Sequence, residues 1–279
     1  MYYGYRAPGH RRMREEYARV LTQAGFSWME VDAPHVPDPD FEREVLDLKD
    51  RFGLQVSVHC HFVDVNLSSH HPQIRAAAVD VVKGDLDFAG RVGASVAVVH
   101  PGDIGWFDFL PADHPGYAES REMIDFLFQI HGDAVVESLK DCAAHAESRG
   151  VKLTAENMYC PWDVLVAPAE WEQLFRKHDI PNLGMILDFG HARVAGRDPL
   201  EYVKAAGTRI WHTHIHANDT RYDVHQPLVG GDPILEKALR ELVRANPNVT
   251  LLLELPPRRM EDFLEGLEIL RGFLGLRPA

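Results

Sequence analysis

Three kinds of residue are scarce or missing in this sequence, and each scarcity narrows what the chain is. Cysteine occurs only three times in 279 residues, at Cys60, Cys142 and Cys160. The odd number and irregular spacing fit neither a disulfide framework nor a zinc-finger pattern, and a reducing cytoplasm is the expected location. No apolar run approaches the roughly 20 residues needed to span a bilayer. The N-terminal stretch MYYGYRAPGHRRMREEY also lacks the apolar core of a signal peptide, so no membrane partner is expected. Basic residues are outnumbered, Lys and Arg totalling 29 against 42 Asp and Glu, for a formal net charge of −13. That balance repels polyanions over most of a surface, so nucleic acid is disfavoured as a partner unless a local basic patch exists. There is no Gly/Ser linker or low-complexity stretch either. With 46% hydrophobic residues, the chain reads as one large domain over residues 1–279. Its oligomeric state is left open.

What is present is an alternation. Short apolar or aromatic runs, YYGYR, FSWMEV, LQVSVH, SVAVVH, VKLTAE, LGMILD, RIWHTHIH and VTLLLEL, are separated by segments of helical length near 11–24, 40–52, 70–91, 118–148, 168–178, 198–206, 232–245 and 260–274. Punctuation agrees with this reading: Pro72 sits in the first turn of the third helix, Gly150 follows the fourth, and Asp232-Pro233 opens the seventh. Eight βα units in about 280 residues predict a single (β/α)8 TIM barrel of the α/β class. An open doubly wound sheet would need a glycine-rich phosphate turn after the first strand, and none is visible.

The ends of these runs carry ligand-type side chains. The third ends at His59, the fourth at His100, the fifth at Glu156, the sixth at Asp188, the seventh at His216, and the eighth reaches Glu254. In a barrel the C-terminal strand ends meet at one face, where active sites are built, so these six are expected to converge. An isolated carboxylate closing an apolar run such as LLLEL pays a desolvation cost of several kcal/mol, which calls for a metal or another cation beside it. A histidine in the same place is as readily satisfied by a backbone carbonyl. His191, three residues after Asp188, is either a second ligand turned over the mouth or an ordinary helix-start residue.

The densest stretch is WHTHIHANDTRYDVH, which holds four of the sixteen histidines. In a strand His212, His214 and His216 share a face, but at about 3.3 Å per residue they cannot all reach one metal. His216 is then nearest the mouth, His214 a second layer beneath it and His212 the lowest. Asp223 and His225, two apart on the following loop, suit a second ion, since carboxylate and neutral imidazole are good ligands for Zn²⁺ or Mn²⁺.

Together the stretches VHCHFVDVNLSS, VVHPGD, AENM, LDFGHA, HANDTRYDVH followed by GGD, and LELPP resemble the xylose isomerase-like TIM barrel superfamily, and within it the endonuclease IV group. The likeness runs over about residues 54–256. It implies three zinc ions held by nine side chains, at the positions of His59, His100, Glu156, Asp188, His191, His216, Asp223, His225 and Glu254. The same superfamily includes sugar isomerases and keto-sugar epimerases. That likeness implies instead one Mn²⁺ or related ion on Glu156, Asp188, His216 and Glu254, with Glu156 and Glu254 exchanging protons with substrate.

Departures from the endonuclease pattern weigh between the two. The glycine- and glutamine-rich loop of that group is replaced by NMYCPWD, and its Gly-x-His-x-Ser opening by YGYRAPGH. Both regions line the DNA cleft in the family. The sequence therefore leads to a divalent-metal-dependent isomerase or epimerase of a sugar or sugar phosphate, catalysed by Glu156 and Glu254. The alternative is a multinuclear zinc phosphoester hydrolase with two or three ions. His61, Trp106 and Arg221 are the candidate substrate contacts. The long segment after His100, with its aromatic residues, is either a lid or a surface loop.

Overall fold

Each apolar run becomes one strand, and each strand is followed by an amphipathic helix that returns the chain to the start of the next, which is the local reason the sheet can close. The structure, a computed structural model, describes residues 1–105 and 110–276. Trp106 lies outside the described residues. The strands are β1 (Tyr2–Arg6), β2 (Trp28–Asp32), β3 (Gln55–His59), β4 (Val96–Val99), β5 (Lys152–Glu156), β6 (Leu183–Asp188), β7 (Ile210–Ile215) and β8 (Thr250–Leu253). The helices are α1 (Arg11–Ala24), α2 (Pro39–Phe52), α3 (Pro72–Arg91), α4 (Tyr117–Ser148), α5 (Pro168–Lys177), α6 (Phe189–Val194), α7 (Pro199–Ala206), α8 (Pro233–Ala245) and α9 (Met260–Phe273). Every strand pairs in parallel with its sequence neighbours, and β1 pairs with β8 from Tyr2↔Thr250 to Tyr5↔Leu253, closing a (β/α)8 TIM barrel.

Helix starts follow from local chemistry. Asp38, Asp198 and Asp232 each accept hydrogen bonds from the first free backbone N–H groups of α2, α7 and α8, and a proline occupies the first helical position after each. Helix α8 shows how the outer layer is held: Leu235, Ala238, Leu239 and Leu242 fall on one face and are buried. Truncating a buried leucine of this kind typically costs about 2–5 kcal/mol. Among the described residues no helix is long and apolar enough to cross a membrane.

The barrel interior departs from the usual stack of branched apolar side chains. Glu30, Ser57, His212 and His214 are completely buried there. Register explains the grouping, since Glu30 pairs with Ser57 across β2 and β3, while Asp188 pairs with His214 across β6 and β7.

Candidate metal centre

His59, Glu156 and Asp188 are the last residues of β3, β5 and β6, while His100, His216 and Glu254 each lie one residue past β4, β7 and β8. The six therefore share one face of the barrel. Three trios of ligand atoms form there, each within 4.8 Å of one another: His59, His100 and Glu156; His191, Asp223 and His225; and His216, His225 and Glu254. A fourth cluster at the same spacing joins Glu156, Asp188 and Glu254 to His214. All nine residues of the implied ligand set are thus brought together. His214 reaches up from the layer below, and its Nδ1 stands 3.1 Å from both Glu156 Oε1 and Glu254 Oε2.

Hydrogen bonds fix each group. Asn157, just past β5, accepts from Asp188 N through Oδ1 at 2.8 Å and donates to Asp188 O at 3.0 Å, tying β5 to β6. Its carbonyl accepts from His191 Nδ1 at 3.0 Å, and the ring of Tyr159 lies 4.6 Å from that imidazole. Asp188 caps α6 by accepting from His191 N, which is how a six-residue helix brings His191 back over the mouth. On the β7–α8 loop, Ala217 and Gln226 exchange backbone hydrogen bonds of 2.8 and 2.7 Å. Asn218 fills the turn between them, donating to Asp223 Oδ1 at 3.2 Å and accepting from the backbone of Val224 and His225. His225 itself adopts φ +47°, a left-handed backbone that a β-carbon disfavours, and it stacks on His216 with ring centroids 4.0 Å apart. Gly190 makes room for His216: a β-carbon there would fall 2.0 Å from the ring's Cε1.

Electrostatics show what the cluster lacks. Burial pushes the Glu156 carboxyl up, but His214 and His100 more than reverse this and hold it well below its usual value. Burial raises Asp223 likewise, and hydrogen bonds from His191 and His225 bring it far down. Burial lowers His191, yet Asp188, Asp223 and Glu156 together raise it to about 10. Burial also lowers His225, while Asp223 and Glu254 raise it to about 9. Two donor atoms are nonetheless stranded. Glu156 Oε2 and His216 Nδ1 are buried without a hydrogen-bond partner, although His100 Nε2 stands 3.2 Å from the former outside bonding geometry.

A cavity of about 240 Å³ opens over these atoms, lined among others by Arg6, Phe62, Met158, Tyr159, Cys160 and Asp163. Arg6, at the end of β1, donates to Glu254 and, at 2.7 Å, to Asp32. The sequence reading passed over Arg6, Asn157 and Asn218. The endings YGYR, AENM and HAND carried their only signal. Two of the three substrate-contact candidates can be placed. His61 turns away from the cavity: its Nδ1 and backbone N both meet the Asp85 carboxylate of α3 at 2.8 Å, and its ring packs at a tilt against His35 with centroids 4.4 Å apart. Arg221 is exposed and lies over the Tyr222 ring, 5.1 Å from its centroid, so neither lines the cavity in this structure.

Comparison with known proteins agrees with this architecture. A profile of the family described as xylose isomerase-like TIM barrel matches residues 18–273. The chain is similar to an uncharacterized protein of Methanocaldococcus jannaschii, 27% identical over 247 residues that cover 87% of this chain and 78% of the other. It is also similar to a protein of Solibacter usitatus named as a probable endonuclease 4, 26% identical over 268 residues covering 86% and 83% of the two chains. Among solved structures it resembles a D-tagatose 3-epimerase-like protein, with TM-score 0.78 and 22% identity over 99% of this chain and 97% of that one. That last likeness is one of fold.

Proposed function

The chain belongs to the xylose isomerase-like TIM barrel family, and from that premise we propose that it is a divalent-metal-dependent isomerase or epimerase of a small sugar, working by proton transfer at the carbon beside a carbonyl. The observation that carries this reading is the pairing of Glu156 and Glu254. They come from β5 and the end of β8, and each presents a carboxylate oxygen 3.1 Å from the same His214 nitrogen beneath a small cavity. Inverting one carbon, with a proton taken from one face and returned to the other, uses two such groups at one place.

The donor set fits a cation. Three buried carboxylates, Glu156, Asp188 and Glu254, meet within 4.8 Å, and charge of one sign is not gathered in a low-dielectric interior without compensation. The stranded Glu156 Oε2 and His216 Nδ1 supply further open positions. Carboxylate and imidazole together suit Zn²⁺ or Mn²⁺, one ion in this reading, held by Glu156, Asp188, Glu254 and His216. When bound, such an ion supplies Lewis acidity that lowers the pKa of the C–H beside the carbonyl. The side chains do the rest. Glu156 and Glu254 take and return the proton, and Arg6 fixes the Glu254 carboxylate from its outer side. The cavity of about 240 Å³ has the scale of a single small sugar. We assign the protein to the cytoplasm on its three free cysteines.

One observation favours a second reading. The trio His191, Asp223 and His225 is assembled as closely as the other clusters, and a single-ion isomerase has no evident need of it. With two or three zinc ions the same mouth suits hydrolysis of a phosphoester, in keeping with the likeness to a probable endonuclease 4. The deciding experiment is incubation with candidate ketoses in D₂O. Deuterium entering the carbon beside the carbonyl is the expected result. Cleavage of a phosphodiester or an abasic-site duplex by the zinc-loaded protein, with no deuterium uptake by any ketose, would replace the first reading with the second.

A further inference from the structure

The two histidines of β7, His212 and His214, are left over from the chemistry above, and so is an acid that no local pattern singles out. Glu30, on β2, is completely buried in the barrel, one layer below the mouth. Its Oε1 accepts from His214 Nε2 at 2.9 Å, and its Oε2 accepts from Ser57 Oγ at 3.0 Å and from His212 Nε2 at 3.3 Å. An ionised carboxylate can only accept, so both rings turn their Nε2–H toward Glu30. That leaves His214 Nδ1 as the one nitrogen facing upward, 3.1 Å from Glu156 and from Glu254. The arrangement is a column: carboxylate, imidazole, then the two glutamates of the site.

We propose that Glu30 is the positioning residue of this centre, acting through His214 to fix which ring nitrogen meets Glu156 and Glu254 and so where those two carboxylates stand. The inference rests on the reading of these glutamates as ion-holding groups and on no particular reaction. Both ends of the column are anchored. Glu30 is clamped by three donors from β3 and β7, and the His214 ring packs parallel to His59, centroids 5.8 Å apart and planes 12° apart. Without Glu30's acceptor the ring loses the bond that orients it, and the glutamates above lose the partner they share. Outer hydrogen bonds of this kind commonly change metal affinity 10- to 100-fold when removed. His212 then has a plain purpose. It supplies Glu30's second imidazole donor and packs 5.6 Å from Trp28, closing the column from below.

The test uses the full chain, stripped with a chelator and titrated calorimetrically with Mn²⁺ and with Zn²⁺. Glu30→Gln keeps the shape and is expected to weaken binding 10- to 100-fold. Introduced into a His214→Gln background, the same change is expected to add nothing, because its effect passes through that ring. In ¹⁵N-histidine-labelled, ion-free protein, Glu30→Gln should alter the His214 ring-nitrogen signals while leaving those of the exposed His71 in place. Glu30→Asp, which keeps the carboxylate but withdraws it, should restore part of the affinity, and it carries the test if the Gln variant does not fold. Equal affinity in wild type and Glu30→Gln, an undiminished loss in the His214→Gln background, or an unchanged His214 spectrum would each overturn the proposal. If the wild type takes up neither ion, the reading of the mouth falls instead, and the ring-nitrogen spectrum still decides the role of Glu30.

Discussion

Two layers of the same barrel interior differ in how their polar atoms are spent. In the lower one both Glu30 oxygens are occupied, by His214, His212 and Ser57. In the upper one Glu156 Oε2 and His216 Nδ1 have no partner, and the histidines and acids are shared among overlapping trios. His212 Nδ1 below also lacks a partner, so the contrast lies in the carboxylates: buried polar groups are normally satisfied, and a carboxylate with both oxygens bonded reads as support, whereas one with a stranded oxygen reads as a place kept for something else. Burial alone does not separate the two, since Glu30 and Glu156 are both almost wholly inaccessible. The accounting of hydrogen bonds does.

The sharpest way to break this contrast is to disarm the upper layer without changing its shape. Glu156→Gln and Glu254→Gln each keep an oxygen ligand but remove the base. Turnover of whichever ketose exchanges deuterium is expected to fall at least about 10³-fold in each, with the circular dichroism spectrum unchanged. If either variant keeps more than about a tenth of wild-type kcat, its glutamate is not a proton-transfer group.

A smaller effect should follow from crowding the upper layer. Gly190→Ala would place a β-carbon 2.0 Å from His216 Cε1, so the ring must move away from Asp188 and His225. Affinity for Mn²⁺ or Zn²⁺ is expected to drop roughly 10- to 100-fold, and overpacking of this kind typically costs about 1–3 kcal/mol of stability by chemical denaturation. Unchanged affinity would remove His216 from the ligand set. Milder still is the paired change Asp223→Ala with His225→Ala. In the single-ion reading it should leave one equivalent of metal by elemental analysis and alter kcat by less than about tenfold. Loss of one or two equivalents, together with loss of a phosphodiesterase activity, would turn the comparison toward the hydrolase.

Much of the barrel was legible because its signals are local. Eight apolar runs and the helical periodicity between them depend on nearest neighbours, and the chemistry at the strand ends followed once the barrel fixed where those ends meet. The short helix α6 gives no periodicity in six residues, and only the helix-start alternative for His191 pointed to it. What was less legible depends on contacts distant in sequence or on where a strand stops. A substrate contact from His61 would need β3 to carry on past His59, but the strand ends at His59 and Asp85 of α3 captures the ring. Glu30 is one of two acids in WMEVD, and nothing nearby marks it, because its imidazole partners lie more than 180 residues away. Arg6 is a cation with no ligand signature of its own, and the Glu254 carboxylate that it meets lies 248 residues away.

The smallest expected effect tests whether the cavity wall belongs with the saturated or the stranded groups. Asp163 is buried at the edge of the cavity, where its Oδ2 accepts from Cys160 N at 2.8 Å and from Tyr159 N at 3.3 Å. Burial dominates these bonds and, with Asp103 adding its negative charge and His191 opposing, raises the carboxyl to about 6. An acid whose folded pKa exceeds its unfolded value near 3.9 contributes most to stability while protonated, and that contribution is lost as pH rises through the folded pKa. His191, held near 10, keeps its proton in the folded protein throughout this window, and it is present in both proteins compared. In chelator-treated protein, wild type should therefore lose stability relative to Asp163→Asn between about pH 4 and pH 6. The difference should be on the order of 1–2 kcal/mol, less than the full shift implies because water in the cavity screens the ionised form. Equilibrium unfolding in urea at half-unit pH steps measures it. A difference that stays flat with pH would mean that the two backbone N–H groups already stabilise the carboxylate fully, making Asp163 a loop clamp of the saturated kind.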